Sequence, residues 1–148
     1  MAAVLVDTNL LLYAHDPSDP VKQRKAVEVL DHLHSTGAGR LSTQTLAEFF
    51  VATTRGTTPL LTTARASQQV ENLASSWIVF VVTPLVVIEA TRGVRTNKFS
   101  YSDSQLWATA RLNQVPVIFT EDFNIGATIE GVRFINPFAA GFGLQDWQ

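Results

Sequence analysis

Hydrophobic residues along the chain form two alternating patterns, short continuous apolar runs and longer segments with apolar positions at helical spacing. Continuous runs of about four to eight apolar residues are typical of strands that are buried on both faces of a parallel sheet. The predicted strands are 3–6, 40–42, 78–82, 115–119 and 132–134, the last of them at an edge of the sheet. The predicted helices are 8–14, 21–35, 43–54, 62–75, 84–95 and 102–113.

Strands that alternate with helices predict a mainly parallel sheet, because each parallel connection needs a crossover that packs a helix on the sheet. We therefore expect an α/β fold, a three-layer α/β/α sandwich with a mainly parallel central sheet. Nothing in 1–148 has the composition of a linker, a repeat or a low-complexity segment, so we expect a single domain. In sheets of this kind ligands bind outside the carboxyl ends of the strands.

Four acidic residues fall where that edge of the sheet is expected. Asp7 directly follows the first strand, and Asp122 lies three residues past Phe119. Glu48 interrupts an apolar helical turn, and Asp103 is at the start of the helix that leads to the strand before Asp122. If both helices begin at the same edge, the four carboxylates can converge on one small volume.

Each acid also has a purely structural interpretation. Asp7 could cap the first helix, and Glu48 could end a capping box. Asp103 could be a first-turn residue after a Ser102 cap, and Asp122 a turn residue. Together these interpretations require four coincidences, and they leave the charge of Glu48 unpaired in an apolar turn, where burial is costly.

A cluster of carboxylates needs a cation. Two carboxylates ~5 Å apart repel each other by roughly 3 kcal/mol at an effective dielectric constant of 20. We expect no basic residue close to the four motifs, so the cation would be a metal. Oxygen ligands without cysteine or a nearby histidine favour Mg²⁺ or Mn²⁺ over zinc.

Composition narrows the class of protein further. The chain has 148 residues, of which 46% are hydrophobic, enough for a sizeable core without covalent cross-links. It has no cysteine, which excludes disulfides, thiolate zinc sites, iron–sulfur clusters and a cysteine nucleophile. The first residues carry neither a basic segment nor a long apolar stretch, so we expect no signal peptide, no membrane span and a soluble cytoplasmic protein.

The net charge of −2 neither favours nor excludes a polyanionic partner. Without the four clustered acids, eleven basic residues stand against nine acidic ones, so a metal-loaded site could accept phosphate. Arg92, Arg95 and Lys98 form a basic stretch that could hold a polyanionic backbone or could simply be a solvated helix end.

Two other classes of α/β protein and one type of catalysis fit the sequence poorly. A phosphoacceptor receiver needs an aspartate after its central strand, but Val82 is followed by Thr-Pro. A dinucleotide-binding domain needs a glycine-rich first turn, where this chain has Asp-Thr-Asn at 7–9. Histidine-based catalysis is disfavoured because His32 and His34, two apart on one helix, face different ways.

The same motifs resemble those of PIN-domain proteins. The matching segments are Val4–Ala14 (VLVDTNLLLYA), Leu46–Phe50 (LAEFF), Tyr101–Trp107 (YSDSQLW) and Phe119–Phe123 (FTEDF). The segment Glu130–Phe138 (EGVRFINPF) is similar to the tail of VapC-type toxins of bacterial toxin–antitoxin pairs. The resemblance runs from about residue 3 to residue 138, and the tail 139–148 lies beyond it. Thr120 and Phe123 stand where many relatives carry Ser and Leu, but no carboxylate is missing.

The resemblance implies a Mg²⁺- or Mn²⁺-dependent endoribonuclease that leaves a 5′ phosphate and a 3′ hydroxyl. Its catalytic acids would be Asp7, Glu48, Asp103 and Asp122. Asp7, Asp103 and Asp122 would bind metal, and Glu48 would bind or orient the attacking water. Thr8, Asn9, Thr120 and Glu121 would support them.

The resemblance also implies partners, namely an RNA substrate, a VapB-type antitoxin and a second copy of the chain in a homodimer. The alternative that the sequence leaves open is a catalytically inactive relative, an RNA-binding or protein-interaction module with the same fold.

Overall fold

In the computed structural model, which describes residues 2–147, six strands form one sheet in the order β3-β2-β1-β4-β6-β5. The strands are β1 Val4–Val6, β2 Gly39–Ser42, β3 Ile78–Phe80, β4 Val117–Phe119, β5 Thr128–Ile129 and β6 Val132–Ile135. The helices are α1 Thr8–Tyr13, α2 Pro20–Thr36, α3 Thr43–Thr54, α4 Thr63–Ser76, α5 Pro84–Asn97 and α6 Tyr101–Leu112, followed by a 3₁₀ helix, Leu144–Trp147. Within 2–147, no helix is long and apolar enough to cross a membrane.

Helices cover both faces of the sheet, which confirms the predicted three-layer α/β/α architecture. All strand pairs are parallel except β5 with β6. Side chains alternate across β1, so Val4 and Val6 pack with α1 to α4 while Leu5 packs with α5 and α6. This central strand is fully buried on both faces, and its carboxyl end leads directly to Asp7.

The two ends of the sheet differ from the prediction. β6 is an interior strand, because it pairs with β4 on one side and with β5 on the other. The hairpin turns at Glu130 and Gly131, both at positive φ (48° and 84°), and β5 has two residues, too few to show any periodicity. The strongly apolar run 78–82 forms only the short edge strand β3.

Helix caps test the structural interpretations of Glu48 and Asp103. The capping box of α3 joins Ser42 and Thr45, each side-chain oxygen accepting from the other residue's backbone N–H at 3.2 and 3.1 Å. Glu48 therefore does not end a capping box. Ser100, not Ser102, caps α6, and its Oγ accepts from the backbone N–H of Asp103 at 3.3 Å.

The tail beyond residue 138 is packed against the sheet. Phe142 and Trp147 meet the ring of Phe119 edge-on, with centroids 5.5 and 5.0 Å away. A ring nitrogen of His32 on α2 lies 3.0 Å from the carbonyl oxygen of Trp147. The tail thus completes the core on the face covered by α1 to α4.

An ion-pair network connects α5, α6 and the β5–β6 turn. Glu89 accepts from Arg92 at 2.6 Å and from Arg111 at 2.5 Å, and Glu130 accepts from Arg92 at 2.8 Å. The hydrogen bond from Arg92, above all, keeps the pKa of Glu89 below its usual value. Of the two interpretations of the basic stretch, the structural one therefore fits Arg92.

α5 and α6 approach closely at Gly93. A Cβ added there would lie 2.2 Å from Ser104 Oγ and 2.9 Å from Trp107 Cζ3. Helix propensity alone would make Gly→Ala stabilising by about 1 kcal/mol. We expect Gly93→Ala to lower the free energy of unfolding by about 1–3 kcal/mol, because overpacking outweighs propensity. Urea denaturation measures it, with Gly141→Ala as control since nothing lies within 4 Å of that added Cβ. Equal stability of the two variants would contradict the packing argument.

Candidate active site

A cleft of about 530 Å³ opens at the carboxyl edge of the sheet, between α1, α3 and α6. The structure brings together in its lining all four acids predicted from the sequence, Asp7, Glu48, Asp103 and Asp122. Thr8 and Asn9, predicted as supporting residues, line it as well. The expected convergence of two strand ends and two helices is therefore seen, because β1 and β4 are adjacent parallel strands.

The carboxylate of Asp7 is fixed by two hydrogen bonds at the junction of β1 and β4. Its backbone N–H donates to the carbonyl of Phe119 at 3.0 Å and so extends the ladder by one residue. Its Oδ1 accepts from the backbone N–H of Thr8 at 2.7 Å, which makes it the N-cap of α1. Its Oδ2 accepts from Thr120 Oγ1 at 2.8 Å.

Burial dominates the ionisation of Asp7. Desolvation raises its pKa from 3.8 to about 6, although the hydrogen bonds from Thr120 and Thr8 act in the opposite direction. The negative charges of Asp103 and Glu48 add smaller upward contributions to this pKa. The carboxylate thus carries a charge that this protein chain alone compensates poorly.

Glu48 connects three helices through its two carboxylate oxygens. Oε2 accepts from Thr8 Oγ1 at 2.9 Å, and Oε1 accepts from Gln44 Nε2 at 2.9 Å and from Ser102 Oγ at 3.0 Å. Gln44 also donates to the backbone carbonyl of Ser102 at 2.9 Å. Sequence reasoning missed Gln44 and Ser102 as partners of Glu48, although Gln44 lies four residues before Glu48 and therefore on the same helical face.

Asp103 and Asp122 are less constrained. Asp103 is half-buried in the first turn of α6, and burial raises its pKa, with further contributions from the charges of Asp122 and Glu48. Asp122 is exposed at the start of the loop after β4. Among residues 2–147, the buried Oδ1 of Asn9 has no hydrogen-bond donor. A hydrogen bond with Ser100 lowers the pKa of Asp103 and partly offsets the effect of burial, while exposed Asp122 and the unpaired oxygen of Asn9 remain available to a ligand in the cleft.

Glu121 lies outside the lining of the cleft. It accepts from the Tyr13 hydroxyl at 2.7 Å and forms an ion pair with Lys22, whose ammonium lies 4.7 Å from the Tyr13 ring centroid. The residue anchors the loop that carries Asp122 to α1 and α2. The structure thus gives Glu121 an anchoring position next to the acids rather than a place among them.

Arg55 is a basic residue of the cleft that the sequence analysis did not anticipate. It follows the last residue of α3 and lines the cleft with the four acids. The expectation that no basic residue lies near the motifs is therefore wrong. The available signal was its position seven residues after Glu48, which corresponds to two helical turns on one face.

Histidine plays no part in the lining. None of the three histidines is among the described residues that border the cleft. His15 lies against the ring of Phe49, and burial lowers its pKa. The absence of imidazole leaves an all-oxygen donor set.

That donor set fits a hard divalent cation in its chemistry. Burial above all, and to a smaller extent the neighbouring negative charges, raises the pKa values of Asp7 and Asp103, and a bound divalent ion would offset the cost of ionising both groups. Within residues 2–147, however, no three His, Asp or Glu side chains are close enough to form a complete ligand group. Glu48 in particular is held by its hydrogen bonds to three helices.

Comparison with known proteins gives one family and a consistent fold. The family model of the PIN domain matches residues 4–128. The DNA-bound VapBC from Salmonella typhimurium has a TM-score of 0.66 at 18% identity, covering 93% of this chain and 99% of that one. VapC20 of Mycobacterium tuberculosis, a toxin that cleaves the sarcin–ricin loop, has a TM-score of 0.64 at 19% identity, covering 86% and 98%.

A toxin–antitoxin complex from Klebsiella pneumoniae is similar to the same degree, with a TM-score of 0.66 at 19% identity, covering 92% of this chain and 98% of that one. At such identities the likeness shows a shared fold. No curated protein sequence matches the chain.

The raised pKa of Asp7 predicts how stability depends on pH without metal. Between about pH 4 and pH 6 the unfolded chain ionises this group first, so the native state loses stability as pH rises. The full loss, reached above pH 6, is about 3 kcal/mol for a shift from 3.8 to about 6. Asp7→Asn should therefore be more stable than wild type at pH 7.5 and similar to it below pH 4.

Urea denaturation in EDTA from about pH 3 to pH 7.5 measures this difference in the free energy of unfolding. Asp31→Asn is the matched control, since Asp31 is an exposed carboxylate on α2 outside the cleft. A difference between wild type and Asp7→Asn that does not change with pH would contradict the assignment of the burial penalty to Asp7.

Proposed function

The chain belongs to the PIN-domain family, and we propose that it is a metal-dependent endoribonuclease, the toxin of a VapBC-type toxin–antitoxin pair. The observation that carries the proposal is the convergence of four carboxylates in one open cleft, with one of them, Asp7, buried and poorly compensated. A structural role alone does not explain that arrangement, because it costs stability. Hydrolysis of a phosphodiester bond by a PIN-domain nuclease explains the clustered carboxylates, because they would bind the metal ion.

The roles follow from how each carboxylate is held. Asp7 and Asp103 are the proposed principal metal ligands, and exposed Asp122 binds the same ion or a second one. A bound Mg²⁺ or Mn²⁺ would supply a water of lowered pKa and neutralise charge on the scissile phosphate. Glu48 orients the attacking water, since Thr8, Gln44 and Ser102 fix its two oxygens.

The remaining residues keep the acids in place. Thr120 holds one oxygen of Asp7, and Thr8 holds both Asp7 and Glu48, through its backbone N–H and its hydroxyl respectively. Asn9 lines the same cleft and would contribute its unpaired side-chain oxygen. Glu121 positions the loop of Asp122. Attack of the water on phosphorus in line with the leaving 3′ oxygen would break the P–O3′ bond, which leaves a 5′ phosphate and a 3′ hydroxyl.

A toxin of this type needs an antitoxin, and we propose a VapB-type protein as the partner and the cytoplasm as the place of action. The structural neighbour from Salmonella is a VapBC complex, and the one from Klebsiella is a toxin–antitoxin complex. We further propose a homodimer. Its candidate surface is apolar, formed by Leu85 and Ile88, one turn apart on α5, and by Val81 shortly before them, all more than 60% exposed.

Cleavage of RNA tests the nuclease. With Mg²⁺ or Mn²⁺ the wild type should cut single-stranded RNA and leave 5′ phosphates, and EDTA should stop it. Asp7→Asn and Glu48→Gln should each lower the rate more than the ~10–100-fold typical of residues that only support a metal ligand. Gel analysis of end-labelled RNA measures the rate, and Asp31→Asn should cut at the wild-type rate.

Metal binding needs a readout that does not depend on turnover. Mg²⁺ should raise the melting temperature of the wild type at pH 7.5, because a ligand of the native state stabilises it, and should not raise that of Asp7→Asn. Cleavage by Asp7→Asn at the wild-type rate would contradict the site. Absence of cleavage by the wild type with any metal would favour the inactive module.

Light scattering tests the homodimer. The wild type should have twice the mass of one chain at micromolar concentration, and Leu85→Glu should shift it to the monomer, because a buried unpaired charge is costly. Val21→Glu is the matched control, since Val21 is 67% exposed on α2, away from the candidate surface. A monomeric wild type would overturn the homodimer and leave the nuclease proposal intact.

A further inference from the structure

One face of α3 forms a continuous wall of the cleft. Glu48, Val51, Ala52 and Arg55 all line it, and their spacing of three, four and seven residues puts them on the same side of the helix. At a rise of 1.5 Å per residue, Arg55 lies roughly 10 Å from Glu48 along the axis. The wall therefore runs from a fixed carboxylate, past an exposed valine, to a cation at the rim.

Arg55 differs from several other cations of the molecule in having no partner. Lys22, Arg92 and Arg111 each form ion pairs with carboxylates. Within residues 2–147, no acidic side chain lies within 4.0 Å of the Arg55 guanidinium, although the four acids share its cleft. Its side chain is exposed, so an anion from solution can reach its N–H donors.

The acids of the cleft create a problem that such a cation solves. RNA is a polyanion, and a cleft lined by four carboxylates repels it at the point where it must bind. A guanidinium binds phosphate through two parallel N–H···O bonds and fixes its orientation as well as its charge. A cation at the rim can hold the strand while leaving the carboxylates unpaired.

We propose that Arg55 binds a backbone phosphate of single-stranded RNA next to the scissile one and so positions the strand across the acids. Val51, 57% exposed between Glu48 and Arg55, supports the intervening sugar or base through an apolar contact. This inference rests on the proposed nuclease function for the meaning of the scissile phosphate, but the binding itself does not require cleavage.

Arg55 also stands at the carboxyl end of α3, where a cation stabilises the helix dipole. That structural role would change stability and leave RNA binding unaffected. A substrate-positioning role would change RNA affinity and its salt dependence. The experiment must therefore measure both quantities on the same variants.

The salt dependence of RNA affinity provides the test. Asp7→Asn serves as the background, because it should not cut the probe, a fluorescent single-stranded RNA oligonucleotide. Adding Arg55→Gln should weaken binding at least about tenfold, the value of a charge-assisted hydrogen bond to phosphate. The slope of log K against log salt concentration should become shallower by about 0.7, the change expected when a protein neutralises one phosphate fewer on a single strand.

Arg133→Gln in the same background is the matched control. Arg133 is exposed and unpaired among the described residues, and its register with Val117 and Val4 puts it at the amino edge of the sheet, opposite Asp7. It should leave both the affinity and the slope unchanged. In the protein whose four acids are unchanged, Arg55→Gln should mainly raise KM for RNA. In the Asp7→Asn background, Arg55→Lys should retain only part of the affinity.

Two results would overturn the proposal. One is an equal salt slope for the Arg55→Gln and Arg133→Gln variants, with or without a lower free energy of unfolding for the former. The other is no measurable RNA binding by Asp7→Asn itself. A wild type that does not cleave, combined with the predicted change in slope, would reject the nuclease and leave Arg55 as a phosphate-binding residue of an RNA-binding module.

Discussion

The architecture of the site depends on the burial of one charge, the carboxylate of Asp7, at the point where β1 and β4 end. The hydrogen bonds from Thr8 and Thr120 lower its cost but do not remove it, so its pKa stays at about 6. The carboxylate lies there because β1 and β4 are adjacent parallel strands whose last residues pair with each other, and because α1 begins immediately after β1. The sheet order, the crossover helices and the core on both faces of the sheet hold β1, β4 and α1 in these positions.

Much of this was predictable because the signals are local or periodic. The bounds of α3 are those expected, and the strand-end positions of Asp7 and Asp122 follow from apolar runs. The hairpin of β5 and β6 could not be predicted, because β5 has only two residues and is too short to show a hydrophobic period. Long-range side-chain contacts were also out of reach. Nothing local indicates that Ser102 turns to Glu48 or that Glu121 pairs with Lys22.

Arg55 shows a limit of reasoning about motifs. The motifs contain the acids, and a search near them in sequence finds no cation, but a helix brings residues seven apart onto the same face. The chemistry of the cleft is thus distributed along α3, with Glu48 inside and Arg55 at the rim. The wall of the site is a property of the helix rather than of any short motif.

The support of Thr120 by β6 has a consequence for synthesis. The backbone N–H of Thr120 donates to the carbonyl of Ile135, and Phe142 and Trp147 pack on Phe119, so segments made late hold a group that fixes Asp7. During translation the amino-terminal part of a chain is made first, so α1 and α3 are complete before these segments exist. A nascent chain therefore lacks the finished cleft until these late segments have been made.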